Sequence, residues 1–391
     1  MMAVAAATPL AMNAERADGH HVQCGDTITR DTKLDRDLVE CPEAGVIIGS
    51  DNITLDLGSH TLDGDSSYVG SSDETPVEYG VDNQAGHSGL IVRNGTVQDF
   101  YHGLQLSSVT GNRIRDLGLA RNDVGIDMAG SSNRVEGTTI SDSDVGMRLE
   151  GNGNLIERNA LVRTSTGISL LGDSNVVVRN RITDGFLSPS GGGFTGIGVY
   201  YARNNRIEMN FVSGQRVTTY FRTAGISLIA SSDNTIKRND TVENSFGIII
   251  SCGWPDGSNN NRIEKNQVAR NRLDGIAISL GLGFGVCRLG SGIAPGPFSI
   301  DNVVSGNVLN GNLKDGIYVE GGEVRNLLEH NTSNDNTDDG IDVDEPTSAL
   351  AKNHAAGNGD FGIEAVTGTN DSGGNRAFGN GNPLQCLNVA C

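Results

Sequence analysis

The chain has 391 residues, 54 of them glycine, with 36% hydrophobic and only 5% aromatic content, which suits a thin aliphatic core better than several bulky globular ones. A formal net charge of −19 argues against nucleic acid or an anionic membrane surface as a partner. No run is long and apolar enough to span a membrane as a helix, so no membrane insertion is expected.

In chain order, residues 1–21 hold an Ala-rich run without a basic start, read as a signal-peptide remnant or a disordered tail. Six cysteines fall into three local pairs: Cys24 with Cys41, Cys252 with Cys287, and Cys386 with Cys391. Neither CxxC spacing nor clustered His accompanies them, so disulfides and a secreted, extracellular setting are expected. From Cys24 to about Gly64 the chain reads as a cap with entry strands, followed by a polar loop at 65–79. His60, His87 and His102 are separated and lack ligand spacing, so each is read as a surface residue.

A repeat then takes over. Gly followed by Ile, Leu or Met opens a short alternating strand at Gly103, Gly125, Gly146, Gly167, Gly196, Gly225, Gly247, Gly275, Gly316, Gly340 and Gly362. Pairs of Asn five residues apart keep step, as in Asn154/Asn159, Asn234/Asn239 and Asn326/Asn331. Without insertions the period is about 21–24 residues, a solenoid spacing with room for about three strands per coil. Asn tolerates the left-handed turns that such coils need, and stacked amides can bond one another.

This pattern resembles the right-handed parallel β-helix repeat family, which includes pectate lyases, polygalacturonases and mannuronan epimerases. The resemblance covers about residues 80–380. It implies an all-β fold, a single-stranded right-handed parallel β-helix over 22–391 with an Asn ladder and capped ends. About twelve coils at roughly 4.8 Å each make a rod some 55–60 Å long.

Departures from the repeat mark candidate walls. Insertions GFLSPSGGGF (185–194) and GQRVTTYFRT (214–223) precede the strands at Gly196 and Gly225, while 252–260 and 280–300 follow those at Gly247 and Gly275. They predict a groove over the strands from Gly196 to about Leu280. Outward positions lie two and four residues after each anchor Gly, placing Arg148, Tyr200, Ile229 and Ile249 on the floor. The alternative is that Tyr200, Ile229 and Ile249 pack beneath the loops. Arg216, Phe221 and Trp254 are candidate substrate-binding residues on the walls, since aromatic faces suit sugar rings and Arg holds a carboxylate.

Two chemistries compete. A lyase or C5-epimerase acting on a uronic-acid-containing glycan needs a cation on the carboxylate, a base and a Tyr acid, for which Arg148, Arg222, Tyr200 and Tyr220 are candidates. The epimerase sequence DPHD is absent. A glycoside hydrolase needs paired carboxylates, for which Asp274, Asp315, Asp338 and Asp339 are candidates. NTDDGID at 336–342 looks like polygalacturonase elements, but that family's Gly-His-Gly is missing, and Asp before Gly is also ordinary turn chemistry. The same acidic ladder, with Asp342, Asp344, Glu345 and Glu364, could hold Ca2+. A non-catalytic glycan-binding or adhesin-like rod is the third class. The expected partner is a polysaccharide; the sequence leaves the oligomeric state open.

Overall fold

The computed structural model describes residues 21–66, 77–186, 195–215, 223–253, 256–279 and 299–391, with the backbone of two short strands, Arg288–Leu289 and Gly292–Ile293. Among the described residues there is no helix, so none is long and apolar enough to cross a membrane. Tyr220, Arg222, Arg216, Phe221, Trp254 and Cys287 lie outside the described residues, as does the Ala-rich start.

The chain is a right-handed parallel β-helix. Its strands stack in three columns, each strand pairing in parallel with its counterpart one coil on. The first column runs from Asp26–Ile28 to Cys386–Leu387 and carries the Gly anchors. Register is kept strictly along it: Ile126 faces Met147, Met147 faces Ile168, and Ile168 faces Ile197. These side chains point inward and are fully buried, each worth roughly 1.5–3 kcal/mol relative to exposure. Two further columns complete each coil, for example Leu155–Glu157 and Arg181–Thr183.

The anchor glycines are required by close approach of the backbones. A Cβ on Gly103, Gly125 or Gly146 would lie 2.6 Å from the carbonyl oxygen of the next anchor, so no side chain fits the column.

The Asn pairs form two buried ladders. Asn154 N–H donates to Asn175 Oδ1 at 2.9 Å, and Asn159 N–H to Asn180 Oδ1 at 2.9 Å. A third ladder, not read from the sequence, runs through Asn244, Asn271, Asn312, Asn336, Asn358 and Asn380. Each net bond contributes about 0.5–1.5 kcal/mol. The expectation that these Asn take the left-handed conformation is corrected: the residue just before does, as at Arg158, Arg179, Arg238 and Lys265. The amide itself must stay in register to reach the next coil.

Cys24–Cys41 and Cys386–Cys391 are disulfides near the two ends of the stack. Cys252 is disulfide-bonded as well.

Candidate functional site

Among the described residues, the outer face of the first column carries the clusters that hold the candidate residues. Two positions build it, the residue before each anchor Gly and the residue two after it. Three regions follow one another along the rod.

The first lies in the coils of Gly80 to Gly146. Register sets Tyr79 beside His102, and Gln105 beside Asp127, which in turn neighbours Arg148. His102 is 8% exposed, with its ring held between Tyr79 (centroids 5.7 Å apart) and Tyr101 (4.9 Å). Its reading as a surface histidine is therefore corrected: two phenol rings cover the imidazole. Nδ1 lies 3.3 Å from Asp127 Oδ2, and that same oxygen accepts from Arg148 at 3.2 Å. The 3.3 Å approach lacks hydrogen-bond geometry, so Nδ1 has no hydrogen-bond partner among the described residues and Asp127 acts on the ring only through its charge.

The electrostatics favour a neutral imidazole. Burial, with Arg148 nearby, pushes His102 down to about 4. Burial raises Asp127 despite Arg148. Burial, then Asp82, raises the Tyr79 phenol, so it keeps its proton at neutral pH. The site thus brings together an unprotonated base, the protonated phenol of Tyr79 and a part-exposed guanidinium.

The second region spans the coils of Gly196 to Gly275, where the sequence points to an open groove. Most of the predicted walls lie outside the described residues, and the floor between them is apolar. Ala224, Phe246, Ile249 and Ala277 pack with Leu273 into an apolar cluster separate from the main core, and Ser227 and Ser279 are buried beside it. Tyr200 folds back so tightly that a Cβ on Gly198 would meet its hydroxyl at 2.5 Å. Burial raises its phenol, while a hydrogen bond to Ser227 opposes the shift. Two rungs separate its coil from that of Arg148, roughly 10 Å, so the structure does not bring these two candidates together.

The third region brings the candidate carboxylates together. Asp274, Asp315 and Asp339 are 3%, 1% and 4% exposed and stand before successive anchor glycines. Lys314 Nζ lies 3.2 Å from Asp274 and 2.8 Å from Asp315, and 4.4 Å from the centre of the Tyr318 ring. Each Asp also has a structural duty. Asp274 accepts the Asp315 N–H (3.3 Å), Asp315 that of Asp339 (3.0 Å), and Asp339 that of Phe361 (2.7 Å). In the first region the equivalent amides use backbone carbonyls, His102 N–H on Glu78 and Val124 N–H on Tyr101. The side chain of His102 is consequently free of any role in closing the coil. Burial, then Asp344, pushes Asp342 up to about 8, and burial likewise raises Asp339 and Asp338.

Asp315, Asp338 and Asp339 converge, as do Asp339, Asp342 and Glu364, each set with ligand atoms within 4.8 Å of one another. Oxygen donors of this kind suit a hard cation such as Ca2+. In the first set Lys314 already supplies positive charge.

With this geometry in view, the likenesses to known proteins can be placed. The family described as "Right handed beta helix region" matches residues 145–286, and "Periplasmic copper-binding protein (NosD)" matches residues 47–195. The sequence matches none of the curated proteins. Similar solved structures include the Azotobacter vinelandii mannuronan C-5 epimerase AlgE4 A-module, with 14% identity, 94% of this chain and 91% of that chain covered, and a TM-score of 0.43. The periplasmic alginate epimerase AlgG is 16% identical over 71% of this chain and 64% of its own, TM-score 0.43. The catalytic domain of GH87 alpha-1,3-glucanase in complex with nigerose is 12% identical over 95% and 62%, TM-score 0.44.

Copper finds no suitable donor set among the described residues of 47–195. His60, His87 and His102 each face a different Asp, at Asp37, Asp51 and Asp127, and Met128 and Met147 are buried in the core. Copper prefers clustered imidazole or thioether ligands, so no step is assigned to it.

Proposed function

We propose that the protein is a polysaccharide-active enzyme that removes the C5 proton of a uronic acid residue, with elimination of the glycosidic bond as the outcome. The observation that carries this reading is the convergence of His102, Arg148 and Tyr79 around Asp127, without any of their side chains closing a coil. Tyr79 and Tyr101 hold the imidazole between their rings, and its neutral form accepts the C5 proton. The remaining N–H groups of Arg148 bind the substrate carboxylate and stabilise the charge that develops there. The C5 electrons form the C4–C5 double bond as the bond from C4 to the glycosidic oxygen breaks. That oxygen takes a proton from the Tyr79 phenol. Returning a proton to the opposite face of C5, without bond cleavage, makes the same site an epimerase. The disulfides support work outside the reducing cytosol.

The test is an ultraviolet assay for unsaturated uronic acid over a panel of acidic glycans, with C5 epimerisation followed by sugar composition. Wild type is expected to produce one of the two signals, and His102→Ala to lower it roughly 10²–10⁴-fold, the usual contribution of a general base. Unchanged turnover in His102→Ala would refute the assignment. Hydrolysis at the third region is the second reading, favoured by the protonated carboxyl of Asp342 beside Asp339. New reducing ends without the chromophore, lost in Asp342→Asn, would select it.

A further inference from the structure

On the reading just given, the site has one cationic group with which to meet the substrate. Among the described residues at the outward and Gly-preceding positions from Gly80 to Gly225, Arg148 is the single Arg or Lys. Carboxylates surround it. Asp127 touches it, Asp123 interacts electrostatically with it and with Asp144, and Asp82 and Glu150 stand at outward positions of the floor. The arginines at the border do not compensate, because Arg121 and Arg163 are forked on Asp99 and Asp142.

We infer that the substrate is a heteropolysaccharide in which each uronic acid is flanked by uncharged sugars, and that homopolymeric uronans are disfavoured. Rungs are about 4.8 Å apart. A polymer lying along the floor with a carboxylate on every sugar therefore sets its further charges within a few rungs of Arg148, against Asp82 and Glu150. A lone uronic acid places its charge at Arg148 and presents hydroxyl groups to the rest. Ser169, Gln105 and Ser107 are the neutral hydrogen-bonding groups at neighbouring outward positions that would meet them.

Binding and turnover are measured separately for two probes, polygalacturonate and an alternating copolymer of glucuronic acid and N-acetylglucosamine. At about 20 mM salt the copolymer is expected to bind at least tenfold more tightly. Raising salt to about 0.5 M, where the Debye length is only a few ångströms, should weaken the copolymer and strengthen polygalacturonate. The double variant Asp82→Asn, Glu150→Gln should raise affinity for polygalacturonate several-fold while changing copolymer binding little. Tighter binding of polygalacturonate, weakened by salt, overturns the inference and leaves the catalytic reading standing if turnover is seen. Preferential binding of the copolymer without chemistry on either polymer supports the inference and overturns the catalytic reading. Binding of neither overturns both.

Discussion

The first and third regions of the outer face use the same two positions of the coil for opposite ends. In both, polar or charged side chains stand before an anchor Gly (His102; Asp274, Asp315, Asp339) or two residues after one (Asp127, Arg148; Asp342, Glu364), and in both a Tyr and a cation are close by. Roughly eight rungs separate them, on the order of 40 Å, so they cannot serve one sugar residue. The difference lies in the backbone. Around Lys314 the amide before each Gly is satisfied by an Asp side chain of the preceding coil, whereas around His102 it is satisfied by a carbonyl. A buried carboxylate that closes a coil is fixed in place by the fold, and a histidine that closes nothing is available for chemistry. Charge and burial do not distinguish the two clusters; the partners of the amides do.

The largest expected effect tests that contrast directly. Asp315→Ala removes the acceptor of the buried Asp339 N–H and one of the two carboxylates that hold Lys314, which keeps Asp274. A loss of about 1–3 kcal/mol in stability is expected, the usual cost of leaving a buried donor unsatisfied. His102→Ala loses the packing of its ring between two phenols but breaks no coil-closing bond, so it should lose less stability than Asp315→Ala and yet lose activity. Denaturant titration of both variants checks this, and equal destabilisation would erase the distinction between the two regions.

Much of the architecture is legible in the sequence because stacking repeats the same demand in every coil. The Gly column, the inward Ile and Leu, two Asn ladders and the terminal cysteine pairs all show as periodic identities. The third ladder escaped notice because its early positions are filled by Asn122, Ser143, Thr164 and Gln215, and Asn becomes regular only from Asn244. The site was harder to find. The insertions point to the middle coils, whose floor is apolar and whose walls lie largely outside the described residues. Yet a signal for His102 was present: aligned on the anchor glycines, it occupies the position of Asp274, Asp315 and Asp339, with Asp127 and Arg148 following on the next two coils. A long-range contact between a residue before one Gly and a residue after the next is invisible to strand alternation alone.

The two regions should also respond to pH with opposite sign. Burial raises Asp342 and the fully buried Glu323 to about 8, so the folded state holds protons that the unfolded chain releases near 4. Their contribution is complete at low pH and is lost as pH rises through about 8. His102 works the other way: lowered to about 4, it contributes above the unfolded value near 6.5 and loses that contribution as pH falls toward 4. Melting temperature is expected to fall by a few degrees between pH 6.5 and pH 8.5. Glu323→Gln should flatten this limb, and His102→Gln should remove the opposing trend between about pH 4 and pH 6.5. A Glu323→Gln protein with an undiminished slope would locate the titrating groups elsewhere.

The smallest effect compares the two tyrosines. Tyr318 donates to Asp344 Oδ2 at 3.3 Å, near an exposed carboxylate, while Lys314 rests against its ring. Tyr318→Phe keeps the ring and the cation–π contact and loses only a long hydrogen bond that water replaces. A change within about 0.5 kcal/mol is expected, the range of ordinary surface substitutions, with turnover unaltered. Tyr79→Phe likewise keeps its ring beside His102 and should cost little stability, but it removes the proton that the leaving oxygen requires. Its turnover should drop by at least tenfold, and substrates with a more acidic leaving group should recover part of the loss. If Tyr318→Phe were the variant that lost turnover, the chemistry would belong to the coils around Lys314, and the first region would be a binding surface alone.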